Sequence, residues 1–215
     1  DRLVQELTSI REYSQALRAQ THEYSNKLHT LAGLIQIGAT KEALELIGRE
    51  SSGYNALLRQ LSDQIQDPFL SAIIVGKYHR AMELKTDLAL DPESWMSNIG
   101  HSSRSEKIVT ILGNLLENAL EASASSGEQK KVCLSMTDVG NELIFEVEDS
   151  GSGISEDQQK SIFDEGFTTK TGTGRGIGLQ LVQKNLIQLE GHLTVGVSSL
   201  GGARFTAYIP KTFSK

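Results

Sequence analysis

The 215-residue sequence is poor in the residues that cross-link, break or anchor chains. It holds one cysteine, three prolines and one tryptophan, with an aromatic fraction of 6%. A single cysteine, Cys133, excludes an intrachain disulfide framework and a zinc site built from cysteines. Within "KVCLSM" it reads as a small buried apolar residue of a strand. No apolar run approaches the ~20 residues of a membrane-spanning helix, and no secretory signal pattern is present. Positive charge is in deficit too: 21 Lys and Arg against 27 Asp and Glu leave a net charge of −6 at pH 7. That balance excludes broad, charge-driven binding of nucleic acid. A hydrophobic fraction of 38% and a charged fraction of 22% belong to a globular protein with room for one large or two modest domains. The sequence opens in what reads as mid-helix, without methionine, and is expected to be a fragment. The missing membrane segment is therefore no guide to the intact molecule.

Proline is also absent before Pro68, and there the apolar residues keep a regular spacing. Leu3, Leu7, Ile10, Leu17, Tyr24, Leu28, Leu31 and Ile35 follow one +4/+3 ladder, with Ser14 and Thr21 as its polar rungs. Such an a/d seam predicts a helix that packs against another. After a break at residues 38–40, a second ladder runs through Leu44, Ile47, Ser51, Tyr54, Leu58, Leu61 and Ile65. The two predict an antiparallel hairpin. Because one hairpin cannot bury both seams, two copies in a four-helix bundle are expected, making the protein a homodimer. A monomeric spacer, or a hairpin packed on the second half, is the plainer alternative.

"QDPF" ends this region, with Asp67 as N-cap and Pro68 at the first helical position. Mixed elements follow: a helix near residues 68–84 and a strand near 86–90, then a polar loop, "DPESWMSNIGHSSRSE". Ser103 and Glu106 form a capping-box pattern for a helix to about residue 123. Strands are predicted near residues 131–136 and 143–148, helices near 156–162 and 178–189, and strands near 192–197 and 203–209. The order predicts a layered α+β domain with helices on one sheet face. The expected domains are residues 1–66 and 67–215.

Three stretches could carry chemistry. In "ILGNLLENALEA", Asn114, Asn118 and Glu121 share a helix face, flanked by Glu117. A solvated face accounts for them, but a carboxamide oxygen also suits Mg²⁺. In "EVEDSGSGI" a strand ends at Asp149, followed by Gly151 and Gly153. This is either a Ser/Gly turn or a buried carboxylate that accepts from an exocyclic amine such as adenine's, with glycines allowing close backbone approach. The stretch "IFDEGFTTKTGTGRGIGL" sets Lys170 and Arg175 among alternating glycines, Gly172, Gly174, Gly176 and Gly178, before an apolar helix. Bare N–H groups and the positive helix end there can hold phosphate. Neither the Walker A spacing nor a Rossmann fingerprint is present.

Taken in order, residues 114–119, 149–153, 163–167 and 172–178 resemble the N, G1, F and G2 boxes of sensor histidine kinases. These belong to the GHKL ATP-binding superfamily, with gyrase, Hsp90 and MutL as cousins. The resemblance implies a GHKL-type α/β sandwich, with ATP and Mg²⁺ as cofactors. Asn118 would bind Mg²⁺ and Asp149 would read adenine beside Gly151 and Gly153. Residues 163–178 would form an ATP lid that sets Lys170, Thr173, Gly174, Arg175, Gly176, Gly178 and Leu179 at the nucleotide. Asn114 stands where hydrolysing cousins carry a glutamate that activates water, and a neutral amide cannot act as that base.

In the first helix, "RAQTHEYSNKLHTLAGLIQ" resembles the H box of the group sensing citrate and C4-dicarboxylates. It implies His22 as phosphate acceptor, Glu23 as partner of its ring N–H, and Asn26 as the residue positioning water for dephosphorylation of a partner. His29, His79, His101 and His192 are expected to be structural or exposed.

The function so implied is autophosphorylation of His22 by ATP, then transfer to an aspartate of a response regulator receiver domain, with possible phosphatase activity. An upstream sensor domain and a cytoplasmic location below an inner-membrane anchor are implied as well; nucleic acid is not. The polar rungs Ser14 and Thr21 weaken the seam near His22, which suggests where upstream signals act. Three rivals stand beside this reading: a GHKL ATPase, a non-catalytic phosphorelay or binding protein, and a serine kinase of the anti-sigma type.

Overall fold

The computed structural model describes residues 29–30, 32–100, 102–127, 129–155 and 177–211. The chain divides into two units, Asp1–Asn55 and Ala56–Lys215. In the first unit, helical backbone reaches residue 36 and stops at Gly38, whose φ of +76° lies where a side chain is disfavoured. Ala39 N donates back to Leu34 O at 2.8 Å, satisfying a terminal carbonyl. The predicted break at residues 38–40 is therefore a helix C-cap, and helix α1, Thr40–Gln64, starts beyond it.

The last turns of α1 belong to the second unit. Leu57, Leu61 and Ile65, at i, i+4 and i+8, are buried in its core. Leu58, a rung of the sequence ladder, is instead 38% exposed there. Of two adjacent leucines only one can face the core, and the core takes Leu57.

Helix α2, Pro68–Glu83, follows the "QDP" signal as expected. Asp67 is fully buried; its Oδ1 accepts from Phe69 N and Leu70 N, both at 2.9 Å, and its Oδ2 accepts from Ile99 N at 3.1 Å. One carboxylate thus caps a helix and pins the loop after strand β1, Asp87–Leu90. Helix α3, Ser103–Ala124, starts one residue earlier than the capping pattern suggested. Its cap is Ser102, in extended conformation, and Ser102 N donates to Ser105 Oγ at 2.9 Å. Ser103 and Glu106 lie inside the helix. Three serines within four positions make the register ambiguous from sequence, and burial of Ser105 decides it.

Strands β2, Lys131–Thr137, and β3, Glu142–Asp149, precede helix α4, Ile177–Gln188. Strands β4, His192–Val197, and β5, Ala203–Pro210, complete a five-stranded sheet ordered β1-β2-β3-β5-β4. The β1–β2 pair is parallel and the others antiparallel. The helix predicted near residues 156–162 lies outside the described residues.

Burial alternates along β2 and β3, so one sheet face lies beneath the helices. Leu134, Phe145, Val147 and Ala207 meet Ile111, Leu112, Leu115 and Leu116 of α3 in one core. The other face is polar and more open. There Glu146 accepts from Thr206 Oγ1 at 2.9 Å, and Arg204 lies 3.9 Å from both Glu146 and Glu148. Cys133 sits on this side, only half-buried, because its strand neighbours take the inward positions. Burial, together with Asp91, Glu148 and Glu146, pushes its thiol pKa up, and it stands outside the apolar core that its sequence context predicted for it.

Candidate functional site

The inward alternation of β3 runs Leu143, Phe145, Val147, Asp149. Asp149 thus occupies a position built for an apolar side chain and is 2% exposed. Burial raises its pKa above the usual aspartate range, and Glu148 adds to this, against hydrogen bonds from Ala203 and Gly151 that pull it down. Its Oδ1 accepts from Gly151 N at 2.8 Å and Ala203 N at 3.1 Å. Among the described residues Oδ2 takes no hydrogen bond. A buried carboxylate with one oxygen committed to backbone can accept from a ligand with the other.

Gly151 has a reason that sequence spacing did not supply. A Cβ there would lie 2.8 Å from the Ala122 side chain and 2.9 Å from Asp149 Oδ1. It is the close approach of β3 to α3 that demands glycine. Gly153, with φ +73°, faces the Gly202 carbonyl.

One stripe of α3 connects the remaining groups. Asn114, Asn118 and Ala122 follow at i, i+4 and i+8, so Ala122 meets the Asp149 turn while both asparagines meet the start of α4. A Cβ on Gly178 would lie 3.1 Å from Asn114 Oδ1 and 3.7 Å from Asn118 Oδ1. Asn114 is oriented by its Nδ2, which donates to Thr110 O at 2.8 Å. The positive N-terminus of α4 therefore opens beside two half-buried carboxamides, an arrangement suited to an anion and its counter-cation. Leu179 is half-buried and packs against the core.

Glu117, on the neighbouring face, is tied to Lys77 at 2.5 Å and to Arg80 at 3.2 Å. Burial would raise its pKa, but those two cations outweigh it and hold the carboxyl below its ordinary value. The pairs clamp α2 to α3.

The sequence marks Gly202 and Ala203 only by "GG" at residues 201–202, the signal of a tight turn into β5. A Cβ on Gly202 would collide with Asp149 Oδ1 and lie 2.5 Å from both Asp149 O and Gly151 N. His22, Glu23, Asn26, Lys170, Thr173, Gly174, Arg175 and Gly176 lie outside the described residues. His29, His79 and His192 are exposed, and His192 stacks on Tyr208 with ring centroids 4.7 Å apart. Among the described residues no cluster of three His, Cys, Asp or Glu could hold a metal ion, and no helix is long and apolar enough to cross a membrane.

This constellation, on a five-stranded sheet beneath α3 and α4, has known counterparts. The family described as histidine kinase-, DNA gyrase B- and HSP90-like ATPase matches residues 103–212, and the chain belongs to it. Residues 2–56 match the α-helical domain of SpoOB-type sensor kinases. Sensor protein CitS of Halalkalibacterium halodurans is 44% identical over 100% of this chain and 40% of its own length. Sensor histidine kinase CitA of Klebsiella pneumoniae is 35% identical over 96% of this chain and 38% of its own. The chain thus spans about two fifths of these relatives (40% and 38%). The solved nucleotide-free catalytic domain of histidine kinase ThkA is similar with a TM-score of 0.57 and 26% identity, over 67% of this chain and 91% of that one. The resemblance to sensor histidine kinases read from the boxes therefore holds, and with it an ATP-binding GHKL domain after a kinase-type helical domain.

Proposed function

We propose that this chain is the kinase core of a sensor histidine kinase. Residues 67–215 bind ATP with Mg²⁺, and residues 1–66 dimerise and carry the phosphate acceptor, His22. The observation that carries this reading is the single α3 stripe that puts Asn114 and Asn118 at the N-terminus of α4 and Ala122 against Asp149 and Gly151. Base and phosphate ends of one nucleotide need such a pair of stations, one a buried acceptor and the other an anion site.

In this reading Asp149 Oδ2 accepts the adenine 6-amine, and Gly174, Gly176 and Gly178 surround the phosphates with Lys170 and Arg175 beside them. Thr173 and Leu179 border the same lid. Asn118 offers a hard carboxamide oxygen, fitting a cation held mainly by phosphates and water. Mg²⁺ when bound neutralises charge on the phosphates. A neutral His22 nitrogen attacks the γ-phosphorus, the N–P bond forming as the bond to the bridging oxygen breaks and ADP leaves. Glu23 takes the other ring N–H and favours the reactive tautomer. The phosphoryl group then passes to an aspartate of a response regulator. Asn26 positions a water that hydrolyses the aspartyl phosphate of the regulator, leaving free carboxylate and inorganic phosphate. Asn114, an amide, cannot serve as the base that hydrolysis would require. Sensor domain, membrane anchor and signal lie in the remainder of the intact protein, as in a bacterial inner-membrane sensor.

The test is incubation of the chain with γ-labelled ATP and Mg²⁺. Acid-labile, alkali-stable label on the protein supports the kinase. Free phosphate without labelled protein identifies an ATPase instead, and acid-stable label a serine kinase.

A further inference from the structure

The turn at residues 198–202, between β4 and β5, is bonded to β3 from both sides of the sheet. Within the sheet Gly202 N donates to Asp149 O at 3.0 Å, and on the helix side Ala203 N donates to Asp149 Oδ1 at 3.1 Å. On the polar side, Glu148 Oε2 accepts from Ser199 Oγ at 2.5 Å, Ser199 N at 3.2 Å and Ser198 Oγ at 3.3 Å. Ser198 Oγ also accepts from Leu200 N at 2.9 Å, and Gly201 turns the chain with φ +98°. The other Glu148 oxygen faces Arg204 at 3.9 Å. Consecutive residues of β3 therefore grip the same turn, Glu148 by its side chain on one face, Asp149 by its side chain on the other and by its carbonyl within the sheet.

The packing leaves no slack. A Cβ on Gly202 would overlap Asp149 Oδ1 and come within 2.5 Å of Asp149 O and Gly151 N. Real Cβ atoms do not approach so closely, so any side chain there must displace either the carboxylate or the turn. With glycine present, the Ala203 and Gly151 N–H groups together occupy Oδ1 and fix the rotation of the carboxylate. A buried acceptor so fixed can discriminate between ligands by whether they donate to it, since an analogue lacking the donor leaves it unpaired.

We propose that this turn is a specificity-determining strap, with Gly202, Ala203 N and Glu148 as positioning groups. It commits one oxygen of Asp149 to the protein and aims the other at the 6-amino group of a purine nucleotide. The inference rests on the reading of Asp149 as the residue that meets the base.

Adenosine and inosine triphosphates test it, because inosine carries a carbonyl in place of the 6-amine while keeping ribose and phosphates. Binding of both to the full chain is measured by calorimetry for the unsubstituted protein, Gly202→Ala, Glu148→Ala and Asp149→Asn, with circular dichroism as a check on folding. Gly202→Ala should narrow the preference for adenosine triphosphate at least tenfold, by weakening that nucleotide while inosine triphosphate stays within threefold. Glu148→Ala, outside the pocket, should narrow it at least threefold, and it decides the matter if Gly202→Ala does not fold. Equal weakening of both nucleotides, or an unchanged ratio, in a folded variant would mean that the strap is only structural. If Asp149→Asn loses the preference while both strap variants retain it, the strap fails and the reading of Asp149 stands. Should Asp149→Asn itself retain the preference, the reading of Asp149 fails and the strap with it.

Discussion

Replacing Asp149 by asparagine separates binding from stability, because the two should move in opposite directions. The carboxylate is 2% exposed, and burial raises its pKa. Folding therefore bears a cost for keeping it ionised at neutral pH, and a neutral isostere relieves that cost. The asparagine oxygen can keep the bonds from Gly151 N and Ala203 N, now at 2.8 and 3.1 Å, which places the amide nitrogen where Oδ2 stood. That nitrogen donates toward a 6-amine that also donates. The lost charge-assisted hydrogen bond is worth about 1.5–3 kcal/mol, roughly a 10- to 150-fold fall in ATP affinity. Thermal unfolding should show an unchanged or higher Tm, and calorimetry the weakened binding. The unsubstituted protein should also lose ATP affinity as pH falls through the raised pKa of Asp149, starting above the usual aspartate range. A carboxamide does not titrate there, so the pH profile of Asp149→Asn records the ligand's own ionisation, and the difference belongs to Asp149. Retained ATP affinity, or binding and Tm falling together, would refute the reasoning.

Three further outcomes follow from other contacts. Gly178→Ala should change folding stability by less than about 1 kcal/mol, since helix propensity favours alanine. Its Cβ would press on Asn114 Oδ1 at 3.1 Å, and ATP affinity measured with Mg²⁺ should drop roughly tenfold, about 1.4 kcal/mol; unchanged affinity would argue against a nucleotide there. Asp67→Ala strips partners from Phe69 N, Leu70 N and Ile99 N, at a cost of about 3 kcal/mol in denaturant unfolding; a loss below about 1 kcal/mol contradicts it. Glu117→Gln should cost about 1 kcal/mol at neutral pH, a figure reduced for partial exposure. Because the folded pKa of Glu117 lies below the ordinary 4.5, its contribution is complete above that value and disappears as pH falls through the folded one. Stability of protein and variant should therefore converge in acid, and a gap that widens would exclude the ion pair as its source.

Much of the second unit was legible because its periods are clean. Two-residue alternation set β2 and β3 to within a residue or two, and "QDP" placed α2 by fixing both cap and first φ. Asp149 was visible as a carboxylate closing an apolar alternation. What stayed illegible depends on contacts distant in sequence. Gly202 reads as an ordinary turn glycine until β5 lies against β3, and Gly151 reads as a turn residue or as room for a base until Ala122 stands over it. Likewise the choice of Leu57 over Leu58, and of Ser102 over Ser103 as cap, was made by the core that each helix meets. Glu117 seemed a flanking acid near a metal ligand, and only the docking of α2 shows it held by Lys77 and Arg80.

The central claim is that this ATP-binding domain serves a histidine acceptor on the same kind of chain. Incubation with ATP and Mg²⁺, followed by mass spectrometry under alkaline conditions, should find one phosphoryl group on His22. His22→Gln should abolish it while ATP affinity stays unchanged. Phosphoryl label that survives in His22→Gln, or steady release of phosphate with no phosphohistidine, would contradict the account.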